Sequence, residues 1–88
     1  MYITDITPKL SAAGFCREAR VRTDEKTGYQ IIDWTHRKTL TMYSLFLSSP
    51  SVVEYIERTY IKYDNEKKCR VPVVTTISRI QDLDKTFR

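Results

Sequence analysis

The stretch YQIIDWTHRKTLTMYSLFL, residues 29–47, holds the only Trp and the only His of the chain and much of its strongest β-forming sequence. It reads as a hairpin with its tip at His36-Arg37-Lys38. In the first arm, residues 29–35, Tyr29, Ile31, Asp33 and Thr35 alternate with Gln30, Ile32 and Trp34, so both faces are apolar and the strand belongs inside a sheet. The second arm, residues 39–47, sets Leu40, Met42, Ser44 and Phe46 against Thr41, Tyr43, Leu45 and Leu47. Its second half is apolar on both faces. That predicts a helix on one side and a further covering surface on the other, for which a subunit partner such as a second copy is a candidate.

Upstream, Ile3, Ile6, Leu10 and Ala13 recur at spacings of three and four. Thr7 as N-cap, Pro8 as first helical residue and Gly14 as left-handed terminator predict a short helix, with Phe15 folded back onto its last turn. CREARVRT, residues 16–23, alternates Arg17, Ala19, Val21 and Thr23 with Glu18, Arg20 and Arg22, the pattern of a strand with one solvated side. Residues 24–28, DEKTG, read as a turn with Gly28 at positive φ.

Downstream, SSPSVVEYIERTYIKYDN, residues 48–65, carries helix signals. Ser49 precedes Pro50, and Ser51 followed by Glu54 has the spacing of a capping box. On a helical wheel Val52, Val53, Ile56, Tyr60 and Tyr63 share one arc, with Glu54, Glu57, Arg58 and Lys62 opposite and Ile61 among the charges. DNEKK, residues 64–68, is a turn. Residues 69–80, CRVPVVTTISRI, form a β-branched strand that Pro72 confines to an edge or a bulge. The polar tail QDLDKTFR is either a short helical turn or disordered. The predicted fold is a single α+β domain spanning residues 1–88: a two-layer sandwich, with an antiparallel sheet of about four strands backed by two helices in the order α-β-β-β-α-β.

A chain of 88 residues builds a thin core, which argues against a deep enclosed cavity. Fifteen Lys and Arg against eleven Asp and Glu leave a net charge of +4, a balance that attracts polyanions or an acidic protein partner. Cys16 and Cys69 lack the spacing of a zinc or redox motif and read as buried free thiols. Met1-Tyr2-Ile3-Thr4-Asp5 has neither a basic segment nor a long apolar run, so no signal peptide is expected, and no stretch approaches a membrane span. A cytoplasmic location follows as the expectation.

No acidic spacing suits a metal, and two glycines make no phosphate loop, so neither metal nor cofactor is expected. His36 could act as a general acid or base beside the cationic Arg37 and Lys38, but the motif supplies no second such group. An enzyme is therefore the less favoured reading, with no catalytic residue assigned.

The order α-β-β-β-α up to residue 64, with the Gly14-Phe15 pair ending the first helix, resembles double-stranded-RNA-binding domains and the HicA-type ribonuclease toxins. The resemblance implies RNA as partner and, for the toxins, a catalytic histidine, for which His36 is the only candidate. The toxins' Gly-Ser-His segment is absent here, and the strand from Cys69 departs from their plan.

The candidate nucleic-acid-binding residues are Arg17, Arg20 and Arg22 on the first strand, His36, Arg37 and Lys38 at the tip, and Lys67, Lys68 and Arg70 at the start of the last strand. With Tyr29, Trp34 or Tyr43 available for stacking, the leading expectation is a non-enzymatic regulator or antagonist that binds nucleic acid, RNA or single strands favoured. The alternative is a phage or mobile-element interaction module that binds and inhibits a host protein through the end of residues 39–47 and Ile61. A HicA-like ribonuclease using His36 is the third reading.

Overall fold

In the computed structural model, which describes residues 1–87, the chain runs α1 (Ile3–Ala12), β1 (Cys16–Thr23), β2 (Gln30–Thr35), β3 (Met42–Leu47), β4 (Val53–Asp64), β5 (Cys69–Ile77) and α2 (Ile80–Lys85). Arg88, the last residue of the polar tail, lies outside the described residues. The strands form one antiparallel sheet in the order β1-β2-β3-β4-β5, each paired with its neighbour in sequence. The class is α+β as expected, but the sheet has five strands instead of about four.

The extra strand is β4, where the sequence predicted the second helix. Seven of its twelve residues are β-branched or aromatic, side chains that crowd the preceding turn of a helix and pack well on a pleated surface. The helical spacing has a local cause. Leu47 pairs with Val53 and Phe46 with Tyr55, so Glu54 is an extra, bulged residue. The bulge puts Val53 and Ile56 on the same face although they are three apart, and both are fully buried. Ser51 and Glu54 make no capping box. Ser48 Oγ donates to Glu54 (2.5 Å) and Ser49 Oγ accepts the Val52 N–H (3.3 Å), which ties the turn between β3 and β4.

α1 starts upstream of its expected cap, and Pro8 lies inside it. Tertiary contacts hold this earlier first turn. The Ile3 N–H bonds Ser51 O (2.9 Å), the Val53 N–H bonds Met1 O (2.7 Å), and Tyr2 bridges Val52. The other end follows the sequence. Gly14 at φ 90° bonds its N–H to Ser11 O, and the Phe15 N–H reaches Leu10 O, which together close the helix and turn Phe15 into the core.

One face of the sheet carries the core, where Trp34, Tyr43, Leu45 and Ile56 meet Ile6 and Leu10 of α1 and Leu83 of α2. The helical layer is incomplete. Residues 60–64 of β4 and 69–73 of β5 contribute nothing to the buried core, so this hairpin projects past the sandwich, and Tyr60 and Tyr63 are not core residues. On the opposite face Phe46 is buried by Tyr55, stacked on it at 4.5 Å, so the doubly apolar end of β3 is covered from within the chain. β5 is an edge strand, consistent with Pro72. Both cysteines start edge strands and are exposed free thiols, not buried ones. The tail forms α2, anchored by the fully buried Leu83.

Candidate functional site

Thr35 pairs with Met42, and Met42 with Thr59, so the β2–β3 turn and the projecting β4–β5 hairpin leave the sheet at the same end. The register therefore unites basic residues that are distant in sequence. Lys38 and Arg70 line one depression of about 340 Å³, between which lie Leu40, Ile61 and Tyr63. Leu40 takes a left-handed backbone (φ 55°) in a turn that delays β3 to Met42, and it stands 64% exposed. Arg17, opposite Trp34, is exposed at this same end, as are Arg37 and the turn residues Lys67 and Lys68. Asp64 Oδ1 shapes that turn by accepting the Glu66 and Lys67 N–H groups.

The remaining β1 arginines do not join them. Arg17 pairs with Trp34 and Val21 with Ile32, so Glu18, Ala19 and Arg20 together span Asp33 in an irregular stretch, and all of β1 is solvated, not one side only. Arg20 is exposed there, and Arg22 is engaged. Its Nε and Nη2 donate to the two oxygens of Asp33 at 2.7 and 2.8 Å, and Ser44 Oγ donates to Asp33 Oδ1 at 2.7 Å. Burial alone would push the Asp33 carboxyl up. The hydrogen bonds from Arg22 and Ser44, with the Arg22 charge, outweigh burial and hold the carboxyl below its ordinary value. Its hydrogen bond to Asp33 correspondingly raises Arg22.

His36 turns back towards α1. Its ring meets Phe15 edge-on at 5.2 Å, and its Nδ1 accepts the Lys38 N–H at 3.2 Å, which places the proton of the neutral ring on Nε2. A Cβ at Gly14 would lie 3.1 Å from His36 Nε2. Gly14→Ala is thus expected to cost about 1–2 kcal/mol, from the left-handed backbone alone, and to displace the imidazole. Chemical denaturation and the His36 ring resonances check the two parts separately.

The helical reading hid four further residues of this end: Arg58, Tyr60, Lys62 and Tyr63. Arg58, Tyr60 and Lys62 alternate onto the helix-side face of β4, where the Arg58 guanidinium lies 4.4 Å over the Tyr60 ring. Tyr63 pairs with Arg70 across the hairpin and is 55% exposed. The period-two alternation of Arg58, Tyr60 and Lys62 was the available signal. From Arg58 to Arg70 the hairpin holds five cations against Asp64 and Glu66. The opposite end is acidic, with Glu54 and Glu57 lining a depression beside Tyr29 and Tyr55. Burial, then Asp24 and Glu57, push the Tyr55 phenol up.

Among the described residues no cluster of His, Cys, Asp and Glu could hold a metal, and no helix is long and apolar enough to cross a membrane. The chain matches no family model, no curated protein and no solved structure. The element order that carried the resemblance to the RNA-binding and toxin folds ends at β3, because the following segment is a strand.

Proposed function

We propose that the protein binds single-stranded nucleic acid, RNA favoured, through the basic end of its sheet, and acts as a non-enzymatic regulator or antagonist by occupying its target. The observation that carries this reading is the convergence of Lys38 and Arg70 on one depression around the exposed Tyr63. An exposed ring flanked by two cations suits an unpaired base stacked on the ring with its phosphates on either side. The charge separation between the two ends orients a polyanion before contact.

Fluorescence anisotropy with labelled single-stranded RNA and DNA over a salt series tests it. Exchanging both cations, Lys38→Glu with Arg70→Glu, is expected to weaken binding by at least about tenfold and to reduce the salt slope by about 1.4, the contribution of two phosphate contacts on a single strand. Arg22→Gln, which alters a cation held by Asp33, is expected to change the slope little. Absence of binding at low salt, or equal binding by the double variant, overturns the proposal.

A second reading rests on Leu40, Ile61 and Val74, large apolar side chains exposed on the face that no helix covers. They suit a module that grips and inhibits another protein. A partner captured from nuclease-treated lysate by the wild type, and lost with Ile61→Asp, favours that reading over the first.

A further inference from the structure

Adjoining the Lys38 and Arg70 depression, with Thr39 lining both, is a second pocket of about 460 Å³ that Arg58 lines and Lys38 and Arg70 do not. It is an open depression bordered by the end of α1, the β2–β3 turn, β3, β4 and the segment after α2. Phe15 and Phe87 give it an aromatic wall, and the polar groups reaching it are His36, Thr39, Thr41, Tyr43, Thr86 and Arg58. None of the described lining residues is a carboxylate. Arg58 stands opposite Tyr43 in the β3–β4 register, and its Nε is buried with no hydrogen-bond partner among the described residues. A guanidinium donor withdrawn from water without an acceptor is costly to maintain. Stacking on Tyr60 at 4.4 Å restricts the guanidinium plane, so the group is oriented while its Nε is unsatisfied.

The hydrogen-bond directions around the pocket further define what it accepts. Thr86 Oγ1 donates to Leu83 O at 2.7 Å and lies 2.6 Å from the Tyr43 hydroxyl, so Tyr43 must donate to Thr86. Tyr43 thus offers the pocket only an acceptor. The donors left for a ligand are Arg58, the Thr39 hydroxyl and, in the tautomer set by the Lys38 N–H, the His36 Nε2–H. Thr41 Oγ1 has only a long contact with Thr39 O, at 3.4 Å, to compete for its proton. A fork-shaped cation among hydroxyl and imidazole donors, with aromatic rings alongside, is complementary to an oxyanion carried on a flat or apolar body.

We infer that this pocket binds a phosphate monoester, with Arg58 as its principal anchor and Thr39, Thr41 and His36 as further donors. Two sources share that chemistry: a free mononucleotide and the 5′-phosphate of a strand held at the basic end. The second source rests on the strand-binding reading, whereas the pocket itself does not.

The test follows the Arg58 Nε–H and the His36 ring by NMR during titration with inorganic phosphate, uridine 5′-monophosphate and uridine. Saturable shifts with the two phosphates and none with uridine are expected, and their loss in Arg58→Gln, with a dispersed spectrum showing that the variant folds. Shifts that fail to saturate, or that persist in Arg58→Gln, overturn the inference. Thr39→Val supplies an independent variant on an exposed turn, expected to weaken phosphate binding severalfold.

A 5′-phosphorylated oligonucleotide that binds about tenfold tighter than its 5′-hydroxyl counterpart, only when Arg58 is present, assigns the site to a strand terminus. Equal binding of the two oligonucleotides alongside saturable mononucleotide binding assigns it to the free nucleotide. The Lys38→Glu, Arg70→Glu variant separates the proposals, because it is expected to lose strand binding while still giving the phosphate shifts at Arg58.

Discussion

Replacing Leu45 with Ala is expected to lower the thermal midpoint by roughly 10–30 °C, which at physiological temperature leaves much of the chain unfolded. Leu45 lies on the middle strand, between Ile32 on one side and Ile56 on the other, and is fully buried. Truncation to Ala removes the contact between strands and helices at the centre of the core, at a cost of about 2–5 kcal/mol. Stabilities of small domains are themselves only about 5–15 kcal/mol. Leu40→Ala gives the matched control. That leucine is exposed in the β2–β3 turn, and its truncation is expected to change stability by no more than about 0.5 kcal/mol. Calorimetry on both variants checks the contrast, and similar midpoints would contradict the assignment of the core face.

The second large effect belongs to Asp33, which is 8% exposed and accepts three hydrogen bonds. Asp33→Ala leaves the buried Ser44 hydroxyl without its acceptor and releases Arg22, whose side chain is half in water and can rehydrate. The loss is expected to be about 2–3 kcal/mol, mostly from the desolvated groups on the Asp33 side. The effect depends on pH with a definite sign. The folded state holds the Asp33 carboxyl below its ordinary value, so the unfolded chain takes up the proton first as pH falls. Its ionic contribution is complete above the unfolded carboxylate value, near 3.9, and is lost as pH falls through the lower folded value. The stability gap between wild type and Asp33→Asn should therefore be wide at pH 7, begin to shrink only below about pH 4 and close as pH falls through the lower folded value. An equal gap at both pH values would assign the effect to shape instead of charge.

Where single residues determine the backbone, sequence and structure agree. Gly14 and Phe15 announced the end of α1 because a positive φ and a following apolar residue have few other uses. The arms around His36 were legible because alternation over several residues has one simple reading, and Pro72 marked an edge because it cannot donate to a ladder. β4 was not legible for a physical reason that its pairing reveals. One inserted residue, Glu54, shifts the alternation by one position, so Val53 and Ile56 imitate a helical face, and Ser51 supplied a false cap. The same error concealed half of the candidate site. Arg58 and Lys62 looked like a solvated helix face and Tyr63 like core, whereas extension of the chain carries all three to the end where Lys38 lies.

Arg22 illustrates the converse: a residue type that suited the site, removed from it by a cross-strand partner that only the register identifies. The short α2 was one of two readings left open for the tail, because six residues are too few to display a period, although Leu83 within it is fully buried.

The meander has a consequence for how the molecule assembles. Successive strands are separated by only four to six residues, so each pairing closes a short loop onto the strand made just before it. Short closures cost the least chain entropy, and a sheet built this way avoids the long-range searches that slow most β-rich domains. One closure is different in kind. Met1, Tyr2 and Ile3 bond to Ser51, Val52 and Val53, so the amino-terminal strap must wait until the β3–β4 turn exists. Met1, Tyr2 and Ile3 thus complete the fold late, securing α1 across a sheet that has already largely zipped itself together.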